Sequence, residues 1–145
     1  MVPQARRAYQ MEDCLFCKIV ARKSPARVVY EDEHAFAFFE ITPSAPGHTM
    51  VIPKVHAPNF LELPDAEVGP LFGAVKKVAE LLVRKLGADG ATVGMNQGRA
   101  SGQFVDHVHV HIIPRWKGDG GSAVQSVVHN KPKETPEAIL KKITG

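Results

Sequence analysis

His107-Val108-His109-Val110-His111-Ile112-Ile113-Pro114-Arg115 is the stretch that decides how this chain is read. Its valines and isoleucines favour a strand over a helix, and the proline stops the run. Side chains alternate faces along a strand. The three imidazoles are therefore expected on one face and the aliphatics on the other. At about 3.3 Å rise per residue, successive histidines stand roughly 6–7 Å apart and the outer two roughly 13 Å apart. A metal–nitrogen bond is about 2 Å, so the outer two cannot share one ion. The run is a line of imidazoles with separate tasks. Histidine is both a near-neutral acid or base and a nucleophile.

Upstream, the pattern changes period several times. Residues 13–22 carry Leu15, Phe16, Ile19 and Val20 at helical spacing and stop before Pro25. Val28-Val29-Tyr30 reads as a strand, and Glu31 to His34 as a charged, solvated turn. Ala35–Phe39 is nearly all apolar and reads as a buried strand. A proline- and glycine-rich loop, residues 42–47, separates it from a third strand, Thr49–Ile52, closed by Pro53. Leu71, Phe72, Val75, Val78, Ala79, Leu82, Val83 and Leu86 form the apolar stripe of one long helix, stopped by Gly87. Pro70 implies that this helix either begins there or kinks there. Ala91–Met95 reads as a fourth strand and the histidine run as the fifth. The fold class is thus α+β: a five-stranded, mostly antiparallel sheet with one long helix and a short N-terminal helix.

The chain has 145 residues, enough for one domain with a real core. Residues 1–12 are expected to be a flexible extension, 13–115 the domain, and 116–145 a partly ordered C-terminal extension. No apolar stretch approaches the roughly 20 residues of a membrane span, and residues 1–10 lack the apolar core of a secretory signal. A net charge of +3 suits phosphorylated ligands but lacks the dense basic stripe of a nucleic-acid binder. The expected setting is cytoplasmic, with no membrane or nucleic-acid partner.

Cys14 and Cys17 are the only cysteines, spaced C-x-x-C. Two cysteines make no disulfide framework. They suit a redox pair, half of a zinc site, or packing. Zinc takes four ligands in a closed site, and seven histidines are available to complete one.

The His-φ-His-φ-His-φ-φ run resembles the signature of the histidine-triad (HIT) superfamily. Supporting similarities lie at Cys14-Leu15-Phe16-Cys17-Lys18-Ile19-Val20, Pro43-Ser44-Ala45-Pro46-Gly47-His48, Val51-Ile52-Pro53-Lys54-Val55-His56 and Gly102-Gln103. From Asp13 to about Arg115 their order resembles the Hint branch. That resemblance implies a hydrolase or transferase acting at the α-phosphate of nucleotides. His109 is implied as the nucleophile, with a backbone carbonyl near His107 orienting its other nitrogen. His111 and His48 are implied as flanking catalytic imidazoles. Gln103, Gly102 and Asn96 are implied at the phosphate, and amides suit that task because they donate without a charge to desolvate. Phe16, Ile19, Phe38 and Ile41 are implied around a purine base. Glu40 stands where the family commonly places a ribose-binding aspartate. Ser24 and Phe104 depart from the family pattern, at a larger apolar and a small hydroxyl position respectively. Relatives with C-x-x-C place a structural zinc on residues matching Cys14, Cys17, His56 and His107. The resemblance also implies a homodimer.

Within that superfamily the motifs point to a nucleoside phosphoramidase, cleaving molecules such as adenosine phosphoramidate to AMP. The alternatives are a dinucleoside-polyphosphate hydrolase of the Fhit type and a non-enzymatic nucleotide-binding module. The intact His48, His109 and His111 argue against the last.

Overall fold

In a computed structural model, residues 11–145 are described; the expectation for residues 1–10 lies outside them. The elements in chain order are α1 (Leu15–Val20), β1 (Val28–Glu31), β2 (Ala35–Phe39), β3 (Thr49–Pro53), α2 (Asp65–Leu86), β4 (Gly90–Gly94), β5 (Val110–Arg115) and α3 (Pro136–Thr144). The strands form one sheet in the order β1-β2-β3-β5-β4. Every pairing is antiparallel, so the class is α+β as expected.

The two faces of the sheet have different covers. Val110 and Ile112 of β5, Ala35 and Ala37 of β2, and Val51 of β3 pack against Leu71, Ala74, Val75, Val78 and Leu82 of α2. This is the main core, and the apolar stripe of the helix supplies five of its fourteen buried residues. On the opposite face, Phe36, Phe38, Met50 and Ile52 pack with Phe16 and Ile19 of α1. That smaller cluster covers only part of the face and leaves the histidine row alongside it.

Several boundaries differ from the sequence expectation. Helix α1 is shorter than residues 13–22, because Cys14 caps it: its sulfur accepts from the Cys17 amide. Helix α2 runs from Asp65 straight through Pro70. The proline is the sixth residue of the helix and leaves the Ala66 carbonyl without its i+4 donor, yet the helix continues. Gly87 ends α2 in the left-handed conformation, φ 63°. Strand β5 begins at Val110, so His107 and His109 precede its regular ladder.

The loop between β2 and β3 brings His48 to the site. Gly47 there has φ +81°, and a Cβ at this position would collide with the Leu86 side chain at the end of α2. The positive φ favours glycine, and the terminal methyl of half-exposed Leu86 could move aside for a side chain.

Candidate active site

His107 is fully buried. Its Nε2 lies 2.8 Å from the Pro53 carbonyl. A carbonyl only accepts, so Nε2 carries the hydrogen and Nδ1 carries the lone pair. That lone pair faces Cys14 Sγ at 3.5 Å, Cys17 Sγ at 3.6 Å and His56 Nδ1 at 3.3 Å. Cys17 Sγ stands 3.4 Å from His56 Nδ1. A tetrahedral ion with sulfur at about 2.3 Å and nitrogen at about 2.0–2.1 Å has ligand–ligand edges of roughly 3.3–3.8 Å. The four groups already sit at that spacing, so Cys14, Cys17, His56 and His107 can hold one metal ion. Burial pushes His107 down to about 4, which keeps its lone pair free. Burial pushes the Cys17 thiol up to about 11 without a cation beside it.

The backbone of the same residue serves the next histidine. His109 Nδ1 lies 2.8 Å from the His107 carbonyl, so Nδ1 donates and Nε2 is left with its lone pair. The His109 ring is nearly buried, edge-on to Phe16 at 5.3 Å and to His111 at 5.2 Å between centroids.

His111 meets His48 across the sheet, Nδ1 to Nε2, at 2.9 Å. The Ser44 amide donates to His48 Nδ1 at 3.1 Å. Burial lowers both pKa values, that of His111 to about 4 with further push from His109 and His48. The Glu40 carboxylate beside them acts in the opposite sense. Glu40 is half-buried and accepts from the Thr42 amide at 3.3 Å and hydroxyl at 3.4 Å.

The loop before the histidines is closed from inside. Gln103 is buried, and its Nε2 donates to the carbonyls of Pro58 at 2.6 Å and Val105 at 3.0 Å. Its Oε1 accepts from the Gly98 amide at 2.9 Å. Both amide hydrogens are thus committed to shaping the loop, because the turn at Gly102 (φ 104°) folds this side chain inward. Arg99 closes the same loop from outside through Asp106 and the carbonyls of Gln103 and Phe104. Asn96 stands beside Gly102 at the loop mouth.

The structure therefore brings together His48, His109, His111 and Glu40 at one end of the open face. Phe16, Ile19 and Phe38 lie adjacent but buried in the small core, while Ile41 is 84% exposed at the rim. Phe104 points outward. The Ser44 amide and Arg99 were not singled out by sequence reasoning. Ser44 acts through its backbone and leaves no side-chain signal; an arginine in a glycine-rich loop has many uses.

A two-layer α+β fold with this imidazole row on its open face defines a class, and comparison with known proteins gives the same one. Residues 21–118 match the HIT domain family. An uncharacterised HIT-like protein of Methanocaldococcus jannaschii is 48% identical over 91% of this chain and 99% of its own length. The adenosine 5'-monophosphoramidase of Schizosaccharomyces pombe is 40% identical over 77% of this chain and 80% of its own. A HIT family protein of Bacillus subtilis superposes with a TM-score of 0.80 at 40% identity, covering 92% and 94% of the two chains. A zinc-bound histidine triad protein of Mycobacterium smegmatis superposes with a TM-score of 0.71 at 31% identity, covering 91% and 96%. This chain belongs to the HIT family.

Proposed function

We propose that this protein is a nucleotide hydrolase that cleaves the P–N bond of purine nucleoside phosphoramidates. The observation that carries the proposal is the clamp on His109. With Nδ1 donating to the His107 carbonyl at 2.8 Å, Nε2 is an unprotonated nucleophile in a nearly dry place. It attacks the α-phosphorus; a phosphorus–nitrogen bond to His109 forms as the bond to the leaving amine breaks. The amine takes up one proton from water at the site as it departs, leaving hydroxide. Water then attacks the His109–phosphorus bond, loses a proton to that hydroxide, and releases the nucleoside monophosphate with His109 restored. Splitting one hard displacement into two easier ones is the gain of covalent catalysis.

The other residues have subsidiary roles. His111 and His48, paired at 2.9 Å beside His109, are assigned to the phosphoryl oxygens. The loop from Gly98 to Gln103 spends the amides of Gly98, Ser101, Gly102 and Gln103 on its own closure, and Asn96 and Gly102 at its mouth are assigned to the phosphate. Phe16, Ile19, Phe38 and Ile41 supply apolar walls for the base. Glu40, beside the histidine pair, is assigned to the ribose hydroxyls. The S. pombe relative, named as a monophosphoramidase, supports this over the polyphosphate alternative.

The same reading gives the Cys14, Cys17, His56 and His107 centre to a structural zinc, which would tie α1 to the start of the histidine run. It includes a homodimer, supported by edge strand β4, which pairs on one side only among the described residues. It also includes a cytoplasmic setting, supported by two free thiols. Among the described residues, no helix is long and apolar enough to cross a membrane. The test is a substrate panel: adenosine phosphoramidate should turn over faster than diadenosine polyphosphates, and faster hydrolysis of the latter would overturn the assignment.

A further inference from the structure

We infer that the backbone amide of Ser44 sets the hydrogen positions of the His48–His111 pair and, by doing so, keeps metal ions off it. The Ser44 N–H donates to His48 Nδ1 at 3.1 Å. A nitrogen that accepts carries no hydrogen, so neutral His48 holds its hydrogen on Nε2. That nitrogen is 2.9 Å from His111 Nδ1 and donates to it. His111 then has its own hydrogen on Nε2, the nitrogen left free. One backbone amide, two residues removed from any reacting atom, thus decides that His111 meets a ligand as a donor.

The loop holds this amide in place. His48 N–H donates to the Ala45 carbonyl at 3.1 Å, and Glu40 N–H donates to the His48 carbonyl at 2.9 Å. Gly47, seated against Leu86, fixes the turn between them. Ser44 itself is exposed, and its side chain takes no part.

A second consequence concerns metal. Glu40, His48 and His111 place one ligand atom each within 4.8 Å of the others. Two imidazoles and a carboxylate are a recognised set for divalent transition metals. Binding there needs the Nε2 lone pair of His48. Its hydrogen would then have to move to Nδ1, where it would face the Ser44 N–H, donor against donor. A donor left unmatched in a part-buried place is unfavourable. Metal is thereby steered to the Cys14, Cys17, His56 and His107 centre, and the reacting imidazoles stay free. The use of His111 as a phosphate-side donor rests on the phosphoramidase reading; the hydrogen positions do not.

The first experiment is nitrogen-15 NMR of the zinc-saturated, nucleotide-free protein at neutral pH, using long-range proton correlations in the rings. Nδ1 of both His48 and His111 should show the shift of an unprotonated nitrogen. A protonated Nδ1 on His48 overturns the inference, whatever the substrate panel gives. The second is a titration with cobalt(II), the other centre being filled with zinc. Wild type and Ser44→Ala, which keeps the amide, should bind no further cobalt. Ser44→Pro, which lacks it, should bind one further equivalent at least tenfold more tightly, and Glu40→Gln in that background should abolish the gain. Cobalt bound equally well by wild type, or no gain in a folded Ser44→Pro protein, overturns it. If the proline variant does not fold, the wild-type NMR measurement still decides.

Discussion

Acid should begin to destabilise the metal-free protein before its carboxylates protonate. The perturbation is removal of metal with a chelator under reducing conditions, then a shift from pH 7 to pH 4. Burial holds His107 and His111 down to about 4 in the fold, against 6.5 for free histidine. As pH falls through 6.5 the unfolded chain takes up both protons, while the fold takes up neither until about pH 4. Stability is therefore complete above 6.5 and lost on the way down to 4. At about 1.4 kcal/mol per pH unit, His107 contributes about 3 kcal/mol of loss. His111 is less deeply buried, and about 2 kcal/mol is a fair figure once solvent screening is included. About 5 kcal/mol from these two, to which buried His48 and His56 add in the same direction, compares with a typical domain stability of roughly 5–15 kcal/mol. Asp32 does not contribute in this window, because its hydrogen bonds from Tyr30, His34 and Ala35 hold its carboxyl below the usual range and its loss comes at lower pH. The assay is urea denaturation at half-unit pH steps, followed by far-UV circular dichroism and by the fluorescence of Trp116, whose indole N–H bonds the Gly87 carbonyl at 3.1 Å. A midpoint that stays flat between pH 6.5 and 4.5 would refute the reasoning. His111→Ala should remove its own share of the slope and leave the rest.

Three further outcomes are expected. His109→Ala should lower kcat by several orders of magnitude with little change in nucleotide affinity measured by calorimetry; near wild-type turnover would sink the covalent mechanism. Protein purified without chelator should carry about one zinc per chain by elemental analysis, and Cys17→Ser should carry far less and melt earlier. Gly47→Ala should destabilise the fold by about 1 kcal/mol, from strain at positive φ; an unchanged melting temperature would show that the turn does not need glycine.

Much of the fold is legible in the chain because local and global signals agree. Ala35–Phe39 and Thr49–Pro53 are apolar runs bounded by turn residues, and both are central strands. The helix from Asp65 shows its stripe plainly, but Pro70 obscured its start, since composition does not reveal that a single missing donor is tolerated there. The histidine run was read as strand throughout, yet the ladder starts at Val110. What draws His107 out of it is a partner 54 residues away, the Pro53 carbonyl, together with the cysteines of α1. Long-range partners leave no trace in periodicity. The four ligands of the metal centre came from family resemblance, and their geometry then fits an ion on its own terms. Gln103 was expected to face phosphate; its inward turn depends on loop closure that no local pattern encodes.

His107 serves two neighbours through two unrelated parts of itself. Its ring belongs to the cysteine corner, while its carbonyl holds the ring of His109, the proposed nucleophile. A carbonyl is the one group every residue type supplies, so nothing about imidazole is needed to orient His109. The three-histidine signature is therefore a compound word: a two-letter reactive stem prefixed by a letter spelled for anchoring. A protein engineer can rewrite the prefix, trading the cysteine corner for a plain apolar plug, and keep the stem readable, provided the peptide between residues 107 and 109 does not move.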